Sequence, residues 1–214
     1  MSRPCLGLVL AVVVLLSCGG TSNTPTGPTA AGVTAQTSDL PSGLVKCDLT
    51  GDIQSFISKE QTPDPQAAKS IAADWEAAKK DGATAAYAAL YTDSAEHCNG
   101  IKRSATDLGA ATYKLVVNFV IQYRDEKSAA AAFKGDHPIF GFSPSELRSG
   151  AGGVVEGSKT GLTANSIALT QPVGNQLFYI ALWQNKQFMV ILTILNIDAN
   201  AAKSAAMREN SRIK

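Results

Sequence analysis

The sequence predicts an α+β fold in which helices cover a mainly antiparallel sheet. Three observations lead there. From Ala83 onward, apolar residues recur in alternating or doubly apolar runs of strand length. Alanine-rich segments that open on aspartate precede, separate and follow them, and two of these close on glycine, at Gly82 and Gly135. The last strands are joined by short polar turns, the connection that antiparallel pairing uses.

Taken in order, Ile53, Phe56 and Ile57 have helical spacing and predict a short helix over 52–59. Asp64-Pro65 supplies an N-cap followed by proline at the first helical position. Ala68, Ile71, Trp75 and Ala78 then share one face, and Gly82 ends the helix. The segment 83–91 combines alanines with Tyr87, Leu90 and Tyr91 and reads as a strand, followed by a short helix over 93–99. In 113–123, Leu115, Val117, Phe119, Ile121 and Tyr123 share one face and Asn118 and Gln122 the other, so a half-exposed strand is expected. Asp125 caps an alanine-rich helix ending at Gly135, and Ser143-Pro144-Ser145-Glu146 is a capping box. Strands follow at 154–158, 165–170, 176–184 and 187–196, with turns at 172–175 and 185–186. The last two are apolar on both faces and should be central. Asp198 caps a final helix, 199 to about 212. The strand–Asp–helix layout of 116–133 recurs in 191–206, which fits either an internal β-β-α duplication or two uses of a common motif.

Composition narrows the function classes. The chain has 214 residues, a net charge of +1, two histidines, four cysteines and 45% hydrophobic residues. It carries no basic footprint for nucleic acid and is too apolar to be disordered throughout.

The N-terminus is the most specific stretch. Arg3 precedes an apolar run over 5–16, too short to span a bilayer and the right length for a secretory signal. It ends Leu15-Leu16-Ser17-Cys18-Gly19, which resembles the lipobox of bacterial lipoproteins. That resemblance implies cleavage after residue 17 and acylation of Cys18, with two or three acyl chains as a stable anchor. It also implies a location on the extracytoplasmic face of the cell membrane or outer membrane. The expected organisation is a signal over 1–17, a flexible Gly/Ser/Thr/Pro tether over 18–43, and one domain over 44–214.

Cys5 leaves with the signal and Cys18 carries lipid, so Cys47 and Cys98 remain in an oxidising compartment. A bridge between them is the expected state, worth roughly 4 kcal/mol in the chain-entropy model. Two free thiols or a catalytic thiol are the alternatives.

No catalytic residue, metal set or cofactor is expected. Gly152–Thr160 approximates a phosphate-binding loop, but Ser158 interrupts its GK[ST] ending and a strand follows, so a turn is expected. Asp48–Asp52 lacks the later glutamate of a calcium loop and reads as the cap of the first helix. His97 and His137 read as surface or packing residues. Trp183, beside a hairpin turn, and Tyr179 on the same strand are the candidates for stacking on a ligand. The expected function is a non-enzymatic binding or sensor domain, contacting the membrane through Cys18 and either an envelope protein or a small molecule. The alternatives are a carrier of an apolar ligand between sheet and helices, and an envelope hydrolase.

Overall fold

In the computed structural model, residues 27–99, 101, 110–173 and 176–214 are described. The expected signal over 1–17, Cys18 and residues 174–175 of the expected 172–175 turn lie outside them.

Helices cover both faces of one antiparallel sheet. The strands are β1 (Val45–Lys46), β2 (Gly51–Asp52), β3 (Ala83–Thr92), β4 (Leu115–Tyr123), β5 (Gly153–Glu156), β6 (Ser166–Val173), β7 (Gln176–Asn185) and β8 (Phe188–Leu195). Their spatial order is β1-β3-β4-β8-β7-β6-β5, with β2 also paired to β3. The helices are α1 (Ala30–Val33), α2 (Ile53–Glu60), α3 (Pro65–Lys80), α4 (Ala95–Asn99), α5 (Glu126–Gly135), α6 (Pro144–Arg148) and α7 (Ala199–Asn210).

The local signals act as expected. Asp52, Asp64 and Asp125 each accept a backbone N–H from the first turn of α2, α3 and α5, at 3.1, 2.9 and 2.7 Å. Asp198 Oδ1 accepts from Asn200 and Ala201 at the start of α7. Ser143 and Glu146 form the capping box of α6. Strand β8 is buried along its whole length between β4 and β7, as its doubly apolar sequence requires.

Strand parity divides the core in two. Leu115, Val117, Phe119 and Ile121 of β4 face α2, α3 and α5, together with Met189, Ile191 and Leu195 of β8. Val116 and Val120 face the other way with Phe188, Val190, Leu192 and Ile194, against α1 and α7.

Three expectations are corrected. Strand β4 is not half-exposed: Asn118 is fully buried, and Gln122 is half-buried. The described part of the expected tether, residues 27–43, is packed structure rather than flexible spacer. Ala30, Val33 and Leu40 are buried on the α7 face. Its backbone is held at Ala35, where the N–H donates to Asn118 Oδ1 at 2.9 Å and the carbonyl accepts the Tyr91 hydroxyl at 2.7 Å. Arg212 donates to the carbonyls of Val33 and Thr34 at 2.8 and 3.0 Å and pairs with Asp39 at 2.8 Å. A few apolar anchors plus satisfied backbone groups outweigh a composition that favours disorder.

The apparent β-β-α repeat is the third. Strands β4 and β8 pair antiparallel, so any two-fold relating the two units stands normal to the sheet and keeps both helices on one face. Instead α5 packs on one face and α7 on the other. The connection from β8 to its Asp cap is one residue longer, and that residue, Asn196, has φ 58°. The extra left-handed residue sends the chain to the opposite face.

Candidate functional site

An apolar groove of about 380 Å³ opens between the sheet and the N-terminal half of α3. Its floor comes from three adjacent strands, with Leu115, Val117 and Phe119 on β4, Thr193 and Leu195 on β8, and Phe178 on β7. Ile71 and Ala67 of α3 form one wall, as the i, i+4 spacing of that helix face dictates.

The opposite wall is a tight hairpin over Ile139–Phe142. Ile139 N–H donates to the Phe142 carbonyl at 2.8 Å, and Phe142 N–H to the Ile139 carbonyl at 3.1 Å. Both central residues are left-handed, Phe140 at φ 49° and Gly141 at φ 83°, the mirror-image turn of tight hairpins. Glycine adopts that conformation freely, whereas for phenylalanine it costs about 1–3 kcal/mol. The strain is held in place from two sides. Asp74 of α3 accepts the Gly141 N–H at 3.2 Å. The Phe140 ring lies 4.7 Å from Phe119, which meets Phe56 edge-on at 5.5 Å. Burial raises the pKa of Asp74 above the usual carboxylate range, while the N–H groups of Gly141 and Phe140 pull it back.

Thr193 is the polar exception on the groove floor. It is 8% exposed, and its hydroxyl has no hydrogen-bond partner. Its cross-strand neighbours are Val117 and Ile180, which offer no polar group. An unsatisfied buried hydroxyl costs about 1–3 kcal/mol, so the protein is less stable for keeping it.

The aromatic candidates from the sequence lie elsewhere. Trp183 is fully buried and Tyr179 is 4% exposed, both in the core on the α7 face. Burial pushes the Tyr179 phenol up to about 12. Alternate residues of the same strand face the other way, so Phe178 lines the groove and Tyr179 does not.

Cys47 and Cys98 form the expected disulfide, with S–S 2.03 Å and Cα–Cα 5.4 Å. It ties the loop between β1 and β2 to α4. Nearby, His97 Nδ1 lies 2.6 Å from Asp93 Oδ1 and its ring stacks on Tyr113 at 4.6 Å. Burial alone would raise Asp93, but the Lys114 N–H and His97 hold it below the usual carboxylate range. Gly152–Thr160 forms edge strand β5 and a 3-10 turn over Gly157–Thr160, with the Thr160 hydroxyl spent on the Gly157 carbonyl and Ser166. Among the described residues no cluster of three His, Cys, Asp or Glu is placed to hold a metal, and no helix is long and apolar enough to cross a membrane.

A second buried polar site lies under the N-terminal segment. Glu209 of α7 is fully buried, and neither carboxyl oxygen has a partner of good hydrogen-bond geometry. Burial pushes its pKa from 4.5 up to about 8, and Asp39 adds to that. Asn118, Arg212 and the Ala35 N–H oppose it without prevailing.

These features define a class: a two-faced α+β domain built on an eight-stranded antiparallel sheet, with an apolar groove under one helix. Among solved structures, the chain is similar to the extracellular domain of PknH from Mycobacterium tuberculosis. The TM-score is 0.51 at 12% identity, over 86% of this chain and 94% of that one. The likeness is one of fold. No protein-family model and no curated protein matches the sequence.

Proposed function

We propose that this chain is a cell-envelope lipoprotein, acylated on Cys18, whose outward-facing domain binds an apolar small molecule in the groove beneath α3. The observation that carries the binding reading is the groove itself. A volume of about 380 Å³ lies within the range of small-molecule sites, and such sites combine an apolar lining with a few polar groups. A core packed only for stability would close over Thr193 or replace it with valine; here Thr193 stays on the floor of an open groove. The envelope placement is supported by the lipobox-like Leu15-Leu16-Ser17-Cys18 and by the shared fold of an extracellular domain. The half-exposed face expected for β4 offers no open polar surface to a protein partner, since Asn118 on it is buried. A hydrolase has less support: Asp93 orients the His97 imidazole, but the adjacent Cys98 thiol is spent in the disulfide.

Two measurements test the proposal. The intact mass of protein extracted from membranes should show a chain beginning at Cys18 with acyl groups added; an unmodified chain starting elsewhere contradicts the anchor. Diphenylhexatriene, which fluoresces only in apolar surroundings, should bind the mature chain one to one. Ala67→Trp, which fills the groove from the α3 wall, should abolish that signal; undiminished binding by this variant contradicts the groove as the site.

A further inference from the structure

We infer that the groove is specific for an uncharged single-chain amphiphile whose ester or hydroxyl group pairs with Thr193, an assignment that rests on the binding reading above. The floor is a strip of Leu115, Val117, Phe119 and Leu195, which suits an acyl or alkyl chain. Among the described residues no lysine, arginine or histidine lines it. The charged groups near it are both carboxylates, Asp64 at the start of α3 and Asp74 behind the hairpin. A carboxylate or phosphate head would meet two like charges and no cation in a partly desolvated site, which is unfavourable.

A cationic head, which only donates, leaves the proton of the Thr193 hydroxyl unpaired and is drawn to the carboxylates instead, each of which already accepts one N–H. Asp64 Oδ1 accepts the Ala67 N–H at 2.9 Å, and Asp74 Oδ2 accepts that of Gly141. Thr193 is different: its hydroxyl both donates and accepts, and nothing among the described residues uses either capacity. One staggered step about χ1 carries the hydroxyl to the position its methyl holds and the methyl to that of the Cβ hydrogen, so the hydroxyl can turn to an incoming ligand. Binding then satisfies a group that the empty protein leaves unsatisfied, which makes the polar contact selective rather than neutral. Gln66 and Ser70 at the mouth supply further polar partners for a head group that remains near water.

The test uses the mature chain, 18–214, with Cys18→Ser in place of the acyl anchor and the disulfide intact. It is titrated by calorimetry at pH 7 with 1-monolauroylglycerol, laurate and laurylamine, each below its aggregation concentration. The glyceride should bind one to one and at least tenfold more tightly than either charged analogue. Thr193→Val should weaken glyceride binding about fivefold to tenfold and leave diphenylhexatriene binding unchanged. Laurate or laurylamine binding as tightly as the glyceride overturns the uncharged assignment while leaving the groove reading intact. Unchanged glyceride affinity in Thr193→Val overturns the role of the hydroxyl. Failure of all three amphiphiles and of diphenylhexatriene overturns the groove reading itself.

Discussion

Replacing Glu209 with glutamine should make the protein more stable at neutral pH, and by an amount that grows with pH. In the folded state the carboxyl is fully buried and its pKa stands at about 8, against 4.5 ordinarily. Between those two values the folded state holds a proton that the unfolded state has released. Stability therefore falls as pH rises through this window, by about 1.4 kcal/mol per pH unit. The loss reaches about 3 kcal/mol at pH 7 and roughly 5 kcal/mol above pH 8. Burial is complete, so solvent screening does not reduce it. Glutamine keeps the shape and cannot ionise, so it escapes the loss. Urea unfolding of both proteins at half-unit steps from pH 5 to 9, disulfide intact, gives the difference directly. It should be small at pH 5, rise steadily and level off above pH 8. Asp93, Asp125 and Asp136, whose pKa values are lowered, affect both proteins alike and cancel. A difference independent of pH would refute the reasoning, because it would mean that Glu209 does not titrate in this window.

Removing the disulfide through Cys47→Ala and Cys98→Ala together should cost roughly 4 kcal/mol in denaturant unfolding, from the 51-residue separation that it closes. Arg212→Met removes the ion pair to buried Asp39 and the hydrogen bonds to Val33 and Thr34. It should cost about 3 kcal/mol and open the segment 27–44 to limited proteolysis before the rest of the domain. Thr193→Val should raise the stability of the ligand-free protein by about 1 kcal/mol, since a methyl replaces an unsatisfied hydroxyl; a loss would show that the hydroxyl has a partner after all.

Much of the fold was legible in sequence because its signals are local. Asp64-Pro65, Asp125, Asp198 and the Ser143–Glu146 box each act within one turn of themselves, and each begins a helix where expected. The doubly apolar 187–196 announced a central strand. What was not legible depends on partners far away in the chain. The segment 27–43 reads as a tether until Tyr91, Asn118 and Arg212 are brought to its backbone. Asn118 reads as a solvent-facing residue for the same reason: the groups that satisfy its amide, Ala35 and the Ile191 carbonyl, are remote in sequence.

The groove was hidden more deeply. It is assembled from α3, three strands and the 139–142 hairpin, and its wall depends on a left-handed phenylalanine that no propensity predicts. Two signals were present all the same. Thr193 is the one hydroxyl in an otherwise apolar strand, and Ile139-Phe140-Gly141-Phe142 is an apolar run around a glycine. Trp183 misled because proximity to a turn suggested exposure, whereas the strand's two-residue period decides which face a side chain meets.

The central claim, that the groove holds an apolar molecule, is tested most directly by native mass spectrometry of the protein purified from its own cells without added ligand. The account predicts a population carrying one retained uncharged, lipid-like molecule, absent from Ala67→Trp prepared in parallel. A spectrum of bare protein in both preparations, with the wild type also failing to take up diphenylhexatriene, would contradict it.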